Sequence, residues 1–314
     1  MTREQKSLWL HAAVVLVLGA LYFVLPEYHA GNLARIMVLA VYAMGYNLLF
    51  GYTGLLSLGH AMFFAAGMYG FGLAVNHGGL PAGAAVLIGI AATLVVSVVV
   101  GFLALRTRDV AFMIVMLMFA QTGYLIILYF GEFTRGDEGF VVQQAQRGLF
   151  GFDLSAQGIR YWAALILFSA CLLGIAKGVN SRFGKALVAV RENEERARML
   201  GYDTHRLKFL AVVLSGVLSG AAGAAYGLLF GYIGSTFATV QYSIFPLLWV
   251  LLGGAGTTLG PFVGVLFMFY LIDLSSFLTD AYMFIAGIAL LLLTMFAPKG
   301  IVGQIRASRV PWLP

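Results

Sequence analysis

Residues 86–105 read VLIGIAATLVVSVVVGFLAL, a run of twenty positions without a charged side chain. A helix of about 20 apolar residues crosses the hydrocarbon core of a bilayer, which is about 30 Å thick. Strands of a membrane barrel alternate apolar and polar residues over about 10 positions, and this run does not alternate. Because backbone groups in lipid must bond within the protein, the run predicts a transmembrane helix.

The composition extends this prediction to the whole chain of 314 residues, of which 61% are hydrophobic and 10% are charged. Soluble domains contain about 25% charged residues, because a water-soluble fold needs a polar shell. The formal net charge of +6 does not indicate nucleic-acid binding, since the basic residues lie in short loops between apolar runs. The sequence predicts an all-α integral membrane protein embedded in a lipid bilayer.

Apolar runs of sufficient length recur along the chain and predict about ten transmembrane helices (8–10) in a single domain, 1–314. The predicted spans are 7–26, 33–50, 56–76, 83–105, 110–130, 161–177, 208–231, 243–252, 260–278 and 281–298. The eighth span is short enough to be broken or re-entrant. The second and third could form one interrupted element.

Lysine and arginine concentrate in the cytoplasmic loops of membrane proteins, and here they cluster in three places. The clustered residues are Arg106, Arg108, Lys177, Arg182, Lys185, Arg191, Arg196, Arg198, Arg206, Lys208, Lys299, Arg306 and Arg309. Ten spans put all of these residues, and both termini, in the cytoplasm. Residues 178–207 then form a cytoplasmic segment, and residues 131–160 form an extracytoplasmic loop with room for a short helix or hairpin.

The segment GYTGLLSLGH at 51–60 interrupts the apolar pattern, because each glycine weakens a helix by about 1 kcal/mol relative to alanine. Non-helical backbone at membrane depth lies inside protein or beside a water-filled cavity. The candidates for lining a translocation path are Gly51, Tyr52, Gly54, Ser57, Gly59 and His60. His60 could equally be a structural histidine bonded to a backbone carbonyl. Gly67, in an unbroken apolar run, instead indicates close helix packing.

A second glycine-rich stretch, GGAGTTLGP at 253–261, predicts another break, because proline removes a backbone donor. The path candidates in it are Gly253, Gly254, Gly256, Thr257, Gly260 and Pro261. A plain loop is the alternative. Gln121, within the fifth span, could bond substrate or a neighbouring helix, and helix packing is the favoured role.

The cytoplasmic segment contains an apolar stripe at helical spacing. Its members are Phe183, Ala186, Leu187, Val190, Asn193, Ala197 and Leu200. The spacing predicts an amphipathic helix, and Gly201 is a suitable stop. On the other face Glu192, Glu194 and Glu195 interrupt the basic residues, which favours docking to a protein over binding to anionic lipid.

The sequence lacks the motifs of several kinds of chemistry. No G-x-x-x-x-G-K-[ST] phosphate loop is present, so we expect no ATP hydrolysis by this chain, and no Cys/His cluster predicts a metal site. Asp273 is the one acid well inside a predicted span. A proton- or sodium-coupled carrier usually needs pairs or chains of such acids. We expect neither an enzyme nor a cofactor bound in this chain.

Three stretches together resemble the permeases of branched-chain amino acid ABC importers, specifically the LivM type. They are NLLFGYTGLLSLGHAMF at 47–63, FGKALVAVRENEERA at 183–197 with GY at 201–202, and LGGAGT at 252–257 with GP at 260–261 and FAPKG at 296–300. The match runs from about residue 32 to 303. It implies the ABC importer permease fold and a place in the bacterial inner membrane.

The resemblance also implies partners. They would be a second, LivH-like permease, two cytoplasmic LivG- and LivF-like ATPase subunits that bind the ATP, and a periplasmic substrate-binding protein. The cargo would be leucine, isoleucine and valine, moved by alternating access. Residues 178–207 would be the coupling segment, in which Glu195, Ala197 and Gly201 match the family's E-A-A-x-x-x-G loop and Arg196 replaces an alanine. The residues expected to couple to the ATPases are Arg191, Glu192, Asn193, Glu195, Arg196, Ala197 and Gly201.

Two alternatives stay open at this point. Urea, short amides and aromatic acids use permeases that look alike, so the same machine could carry another cargo. A secondary carrier or channel without an ATPase is an alternative of a different class. The docking helix and the single intramembrane acid argue against it.

Overall fold

The computed structural model describes residues 3–149, 151–277, 279 and 281–308. The predicted limit of the ninth span at 278 and Arg309 of the basic tail lie outside these residues. The described helices are α1 (Arg3–Leu21), α2 (Glu27–Asn47), α3 (His60–Asn76), α4 (Ala82–Ala104), α5 (Asp109–Tyr129), α6 (Gly131–Thr134), α7 (Gln157–Asn180), α8 (Arg182–Glu192), α9 (Glu194–Met199), α10 (Thr204–Phe230), α11 (Val240–Gly253), α12 (Gly260–Ser276), α13 (Tyr282–Phe296) and α14 (Ile301–Ser308).

Each of the ten predicted spans coincides with a helix, but the described helices differ in length. Five runs are long and apolar enough to cross a membrane by length and composition. These are Glu27–Tyr52, Ala82–Ala104, Asp109–Tyr129, Gln157–Asn180 and Thr204–Phe230. The helices at the other five predicted spans have 14 to 19 residues. The count of ten spans therefore stays a prediction.

The core is built around α2, which is buried along nearly its whole length. It packs against α7, α10, α11 and α12, while α3 and α4 pack on α10 from the other side. A helix that is apolar all round is stable only where neighbours or lipid cover every face. By contrast, α4 and α5 bury one face and leave the other exposed.

Residues 131–160 contain both the short helix α6 and a hairpin of β2 (Gly148–Leu149) with β3 (Phe152–Asp153). A further strand, β1 (Phe140–Val141), pairs antiparallel with β4 (Tyr232–Ile233), which follows α10. The neighbouring helices run past the predicted limits of this loop and of the coupling segment: α7 spans Gln157–Asn180 and α10 begins at Thr204.

Small residues allow α3 and α10 to cross closely, as the position of Gly67 predicts. A Cβ added at Gly67 would lie 1.9 Å from the carbonyl oxygen of Gly220, and one at Gly223 would lie 1.9 Å from that of Phe64. No side chain fits at those distances, so these two helices meet backbone to backbone. Packing of this kind is typical of helix pairs in membranes.

We predict that Gly67→Ala destabilises the protein by about 1–3 kcal/mol, because overpacking forces the two backbones apart. Gly174→Ala is the matched control, since an added Cβ there meets nothing within 4 Å. The melting temperatures of the purified variants in detergent would test this. Equal melting temperatures for the two variants would contradict the close crossing of α3 and α10.

Candidate functional site

The two glycine-rich segments lie against each other, and the side chain of Asn47 joins them. Its Nδ2 donates to the carbonyl oxygen of Thr257 (2.9 Å), and its Oδ1 accepts from the amide of Gly256 (2.9 Å). A Cβ added at Gly51 would lie 2.4 Å from the nitrogen of Gly256, so the segments touch through their backbones. We call Asn47, Gly51, Gly256 and Thr257 the glycine junction.

The first segment reaches the junction through a change of helix type. After α2 the backbone widens into a π-helical turn over Leu48–Tyr52, and the hydroxyl of Thr53 donates to the carbonyl of Leu48 (3.0 Å). Gly54 then takes a positive φ of 80°, and regular helix resumes only at His60. The predicted break in 51–60 is therefore present, and α2 and α3 are separate helices.

The second segment is a tight connection between α11 and α12. Thr257 Oγ1 donates to the carbonyl of Gly254 (2.7 Å) and accepts from the amide of Gly260 (3.1 Å). A Cβ added at Gly253 would lie 1.8 Å from the carbonyl oxygen of Gly260, and Pro261 stands in the first turn of α12. One buried threonine therefore satisfies backbone groups on both sides of this connection, and both the path and the plain-loop interpretations stay open.

Two arginines from other parts of the chain bind the junction. Arg191, at the end of α8, donates from Nη1 to the carbonyl of Gly51, and Arg306 of α14 donates to the carbonyl of Gly256 (3.2 Å). Arg191 also pairs with Glu192 (2.6 Å). The coupling segment therefore contacts the broken end of α2 directly, so a displacement of α8 acts on the junction.

The coupling segment forms two helices, which corrects the prediction of one continuous amphipathic helix. Asn193 has φ −163°, ends α8 and caps α9, its side chain accepting from the amide of Arg196 (2.8 Å). An asparagine side chain that bonds the backbone competes with helical bonding, which is why the helix breaks here. Gly201 (φ 88°) ends α9 as expected: its amide bonds the carbonyl of Arg198 (3.0 Å), and the next amide bonds Ala197 (3.2 Å).

The buried stripe is confirmed for four of its members, Phe183 is partly buried, and the predictions for Asn193 and Leu200 are wrong because both are exposed. Ala186, Leu187, Val190 and Ala197 are buried, whereas Leu200 is 72% exposed. Because the helix restarts at Asn193, the spacing that placed Leu200 on the stripe does not continue.

The end of α9 presents an exposed apolar surface. Met199 is 85% exposed and Tyr202 is 44% exposed, next to Leu200 and to the exposed Glu195 and Arg196. We call Glu195, Met199, Leu200 and Tyr202 the α9 knob. An apolar group rimmed by charges is typical of a protein contact surface.

Sequence reasoning named Glu194 for its charge but missed its partners within the chain. Glu194 forms ion pairs with Lys208 and with Arg198 (3.3 Å) and accepts from the hydroxyl of Thr204 (3.1 Å). Partial burial raises the pKa of Glu194, but the bond and charge of Lys208, with Thr204 and Arg198, outweigh it and leave this pKa below its ordinary value. The i,i+4 spacing between Glu194 and Arg198 could have predicted that ion pair from the sequence. Nothing in the local sequence indicates the ion pair with Lys208.

His60 is fully buried, and its environment matches the structural-histidine alternative. Its Nδ1 lies 3.0 Å from Ser57 Oγ and its Nε2 lies 2.7 Å from Ser215 Oγ, whose hydroxyl in turn donates to the carbonyl of Gly45. The partners are hydroxyls rather than the backbone carbonyl expected. The network joins α2, α3 and α10.

Gln121 lies apart from the junction, exposed on α5. The side chain of Gln121 is therefore not packed inside this chain, and its role in helix packing stays a prediction. The face that Gln121 shares with the exposed Ile114, Met118 and Leu125 is available to substrate, lipid or another subunit.

The sequence did not predict the hydrogen bonds of two ionisable residues in apolar helices, His11 and Asp273. His11 of α1 is buried and its Nε2 lies 2.7 Å from Thr258 Oγ1, which fastens the first helix to the second glycine segment. Asp273 accepts from the hydroxyl of Tyr28 at 2.7 and 2.9 Å. Asp273 therefore has a hydrogen-bond partner in a neighbouring helix.

Comparison with known proteins gives relatives of one kind. The family model "Branched-chain amino acid transport system / permease component" matches residues 29–294. The high-affinity branched-chain amino acid transport system permease protein LivM of Escherichia coli (strain K12) is 26% identical over 293 residues, covering 86% of this chain and 69% of the relative. LivM of Salmonella typhimurium is 25% identical over the same shares. The probable LivM protein of Methanocaldococcus jannaschii is 31% identical over 106 residues, 33% of this chain and 31% of the relative. No solved structure matches the chain.

We predict that Asn47→Leu lowers the stability by about 2–6 kcal/mol, because it leaves two buried backbone groups unpaired at about 1–3 kcal/mol each. Asn76→Leu, at the exposed end of α3, is the control. Thermal melts in detergent measure the effect. If Asn47→Leu melted at the wild-type temperature, the junction would not depend on this side chain.

The lowered pKa of Glu194 predicts a pH-dependent contribution to stability. A carboxylate with a depressed folded pKa stabilises the protein above its unfolded pKa, and the effect is lost as the pH falls through the folded value. Glu194→Gln should therefore melt below wild type at pH 7, with the difference shrinking as the pH falls below 4.5, the ordinary glutamate pKa, and vanishing below the lower folded pKa. Glu195→Gln, at the exposed neighbouring position, is the control and should melt close to wild type at pH 7. A constant difference at all pH values would refute the assignment.

Proposed function

Because the chain belongs to the family of branched-chain amino acid transport permease components, we propose that it is a permease subunit of an ATP-driven importer. Its matched region covers most of the chain, and its apolar helices make it a membrane-embedded protein. In this proposal the protein sits in the bacterial inner membrane with both termini and the coupling segment in the cytoplasm. The relatives named above are permeases of such systems rather than enzymes.

The observation that supports ATP coupling most directly is the arrangement around α8 and α9. The inner side of this segment binds the glycine junction through Arg191, and the α9 knob on its outer side is exposed. A segment built this way transmits force between an external protein and the ends of α2 and α11. We assign the ATPase contact to Glu195, Arg196, Met199, Leu200 and Tyr202, with Arg191, Glu192, Asn193, Ala197 and Gly201 shaping the segment. ATP is bound by the partner ATPases.

The proposed cargo is leucine, isoleucine or valine, supported by the names of the relatives. Urea, short amides and aromatic acids are the alternative cargoes. Substrate moves by alternating access between this chain and a second, LivH-like permease after delivery by a periplasmic binding protein. The two glycine segments adjoin the inner end of that route, and motion of the junction opens or closes it.

We predict that the chain co-purifies with two ATPase subunits when they are expressed together. Glu195→Lys and Leu200→Glu should each reduce the ATPase recovered per chain about tenfold, because both change central groups of a small contact. Val141→Glu, a matched change at an exposed valine in the loop 131–160, should have no effect.

Quantitative gel analysis of the purified complexes measures this, with transport in liposomes as the second readout. A wild-type chain that recruits no ATPase and yet transports leucine alone would replace this proposal with the secondary carrier.

A further inference from the structure

Three arginines converge on Phe230 at the end of α10. The guanidinium carbons of Arg35 and Arg160 lie 5.3 and 5.6 Å from the centre of the Phe230 ring, and Arg147 Nη1 donates to the carbonyl of Leu229 (3.4 Å). Arg35 and Gly51 are 16 residues apart in one helical run, which is about 24 Å at 1.5 Å per residue. The cluster therefore lies at the opposite end of the molecule from the glycine junction.

Among the described residues, two carboxylates lie near these three positive charges without forming an ion pair with them: Asp153 interacts electrostatically with Arg147, and Glu27 lines a cavity with Arg35 and Arg160. None of the described ion pairs involves Arg35, Arg147 or Arg160. Arg35 and Arg147 are instead close enough to Arg160 to repel it electrostatically. Like charges gathered at one site repel one another, and a bound anion relieves that repulsion.

The polar atoms left without partners around this cluster are mostly donors. Asn32 is 8% exposed, and its Nδ2 has no hydrogen-bond partner, as is the case for Nε of Arg147 and of Arg160. Buried polar groups are nearly always bonded in proteins. Guanidinium and amide N–H groups are the donors that hold a carboxylate, often two at a time.

A cavity of about 370 Å³ lies beside this cluster, and its lining includes Glu27, Asn32, Arg35, Arg160 and Phe230. Its volume is in the range of pockets that take small molecules. Arg35, Asn32 and Arg160 supply donors, Phe230 supplies an apolar surface, and the carboxylate of Glu27 suits an ammonium group. Charge and size together match a small amino acid.

We propose that this cavity binds the carboxylate group of a small aliphatic acid, with Arg35 and Arg160 as its direct ligands and Arg147 adding positive charge. The identification of that acid with the transported amino acid rests on the proposed function, as does the placement of the cavity on the outer side. The binding chemistry itself rests on the arginines, Asn32 and Phe230.

The test measures melting temperature and affinity for the full chain in nanodiscs of phosphatidylcholine. The probes are L-leucine, 4-methyl-2-oxopentanoate, which keeps the carboxylate and lacks the amine, and L-leucinamide, which lacks the carboxylate. We expect leucine and the oxo acid to bind and leucinamide not to bind. Arg35→Gln and Arg160→Gln should each weaken leucine binding about tenfold or more, the loss expected for a charged hydrogen bond.

Arg135→Gln, at an exposed arginine in the loop 131–160, is the matched control and should leave binding unchanged. Without ligand, Arg160→Gln should melt no lower than wild type, because the substitution removes repulsion between arginines. If Arg160 had only a structural role, the substitution would lower the melting temperature. The proposal would be overturned if leucinamide bound as tightly as leucine, or if both arginine variants bound leucine with the affinity of wild type. Stabilisation by phosphatidylglycerol alone would also overturn it, and would assign the site to a lipid phosphate. A chain that recruits ATPases but binds no carboxylate would refute this site and leave the proposed function intact.

Discussion

The carboxamide of Asn47 bonds two backbone groups that lie more than 200 positions further along the chain. Backbone groups away from water must be paired inside the protein, and the two glycine breaks expose several of them at once. Asn47 satisfies one donor and one acceptor with a single side chain. The end of α2 and the connection from α11 to α12 are thereby held in one position, and the elements that contact them depend on that position.

The breaks also free carbonyl oxygens, and these are what the arginines use. Gly51 and Gly256 each offer a carbonyl to a guanidinium, from the coupling segment and from α14 respectively. Glycine serves two purposes here: it lets the backbones approach, and it leaves room for the arginine. A side chain at Gly256 would meet Arg191 at 2.9 Å. The glycines thus explain how the coupling segment can bond the end of α2 directly through one arginine side chain.

The sequence was sufficient for features that depend on local pattern. Apolar runs placed helices at all ten predicted positions, glycine density located both breaks, and Gly201 marked the end of α9. It failed where a local competition or a distant contact decides the outcome. The capping bond of Asn193 split the coupling helix and exposed Leu200, and the pairing of Glu194 with Lys208 depends on the return of α10. Periodicity contains no information on such contacts, so the arginine cluster around Phe230 was equally invisible.

The helix α10 runs without interruption from Thr204, which bonds Glu194 in the coupling segment, to Phe230 beneath Arg35 and Arg160. Its 27 residues make a rod of about 40 Å. Beyond Phe230, the strand pair of β4 with β1 attaches this helix to the loop 131–160. Thermodynamic linkage is symmetric, so any preference that one end of the rod imposes on the other is returned in equal measure. If binding at one end of α10 changes the affinity for a ligand at the other end, occupation of that other end must change the affinity at the first by the same free energy.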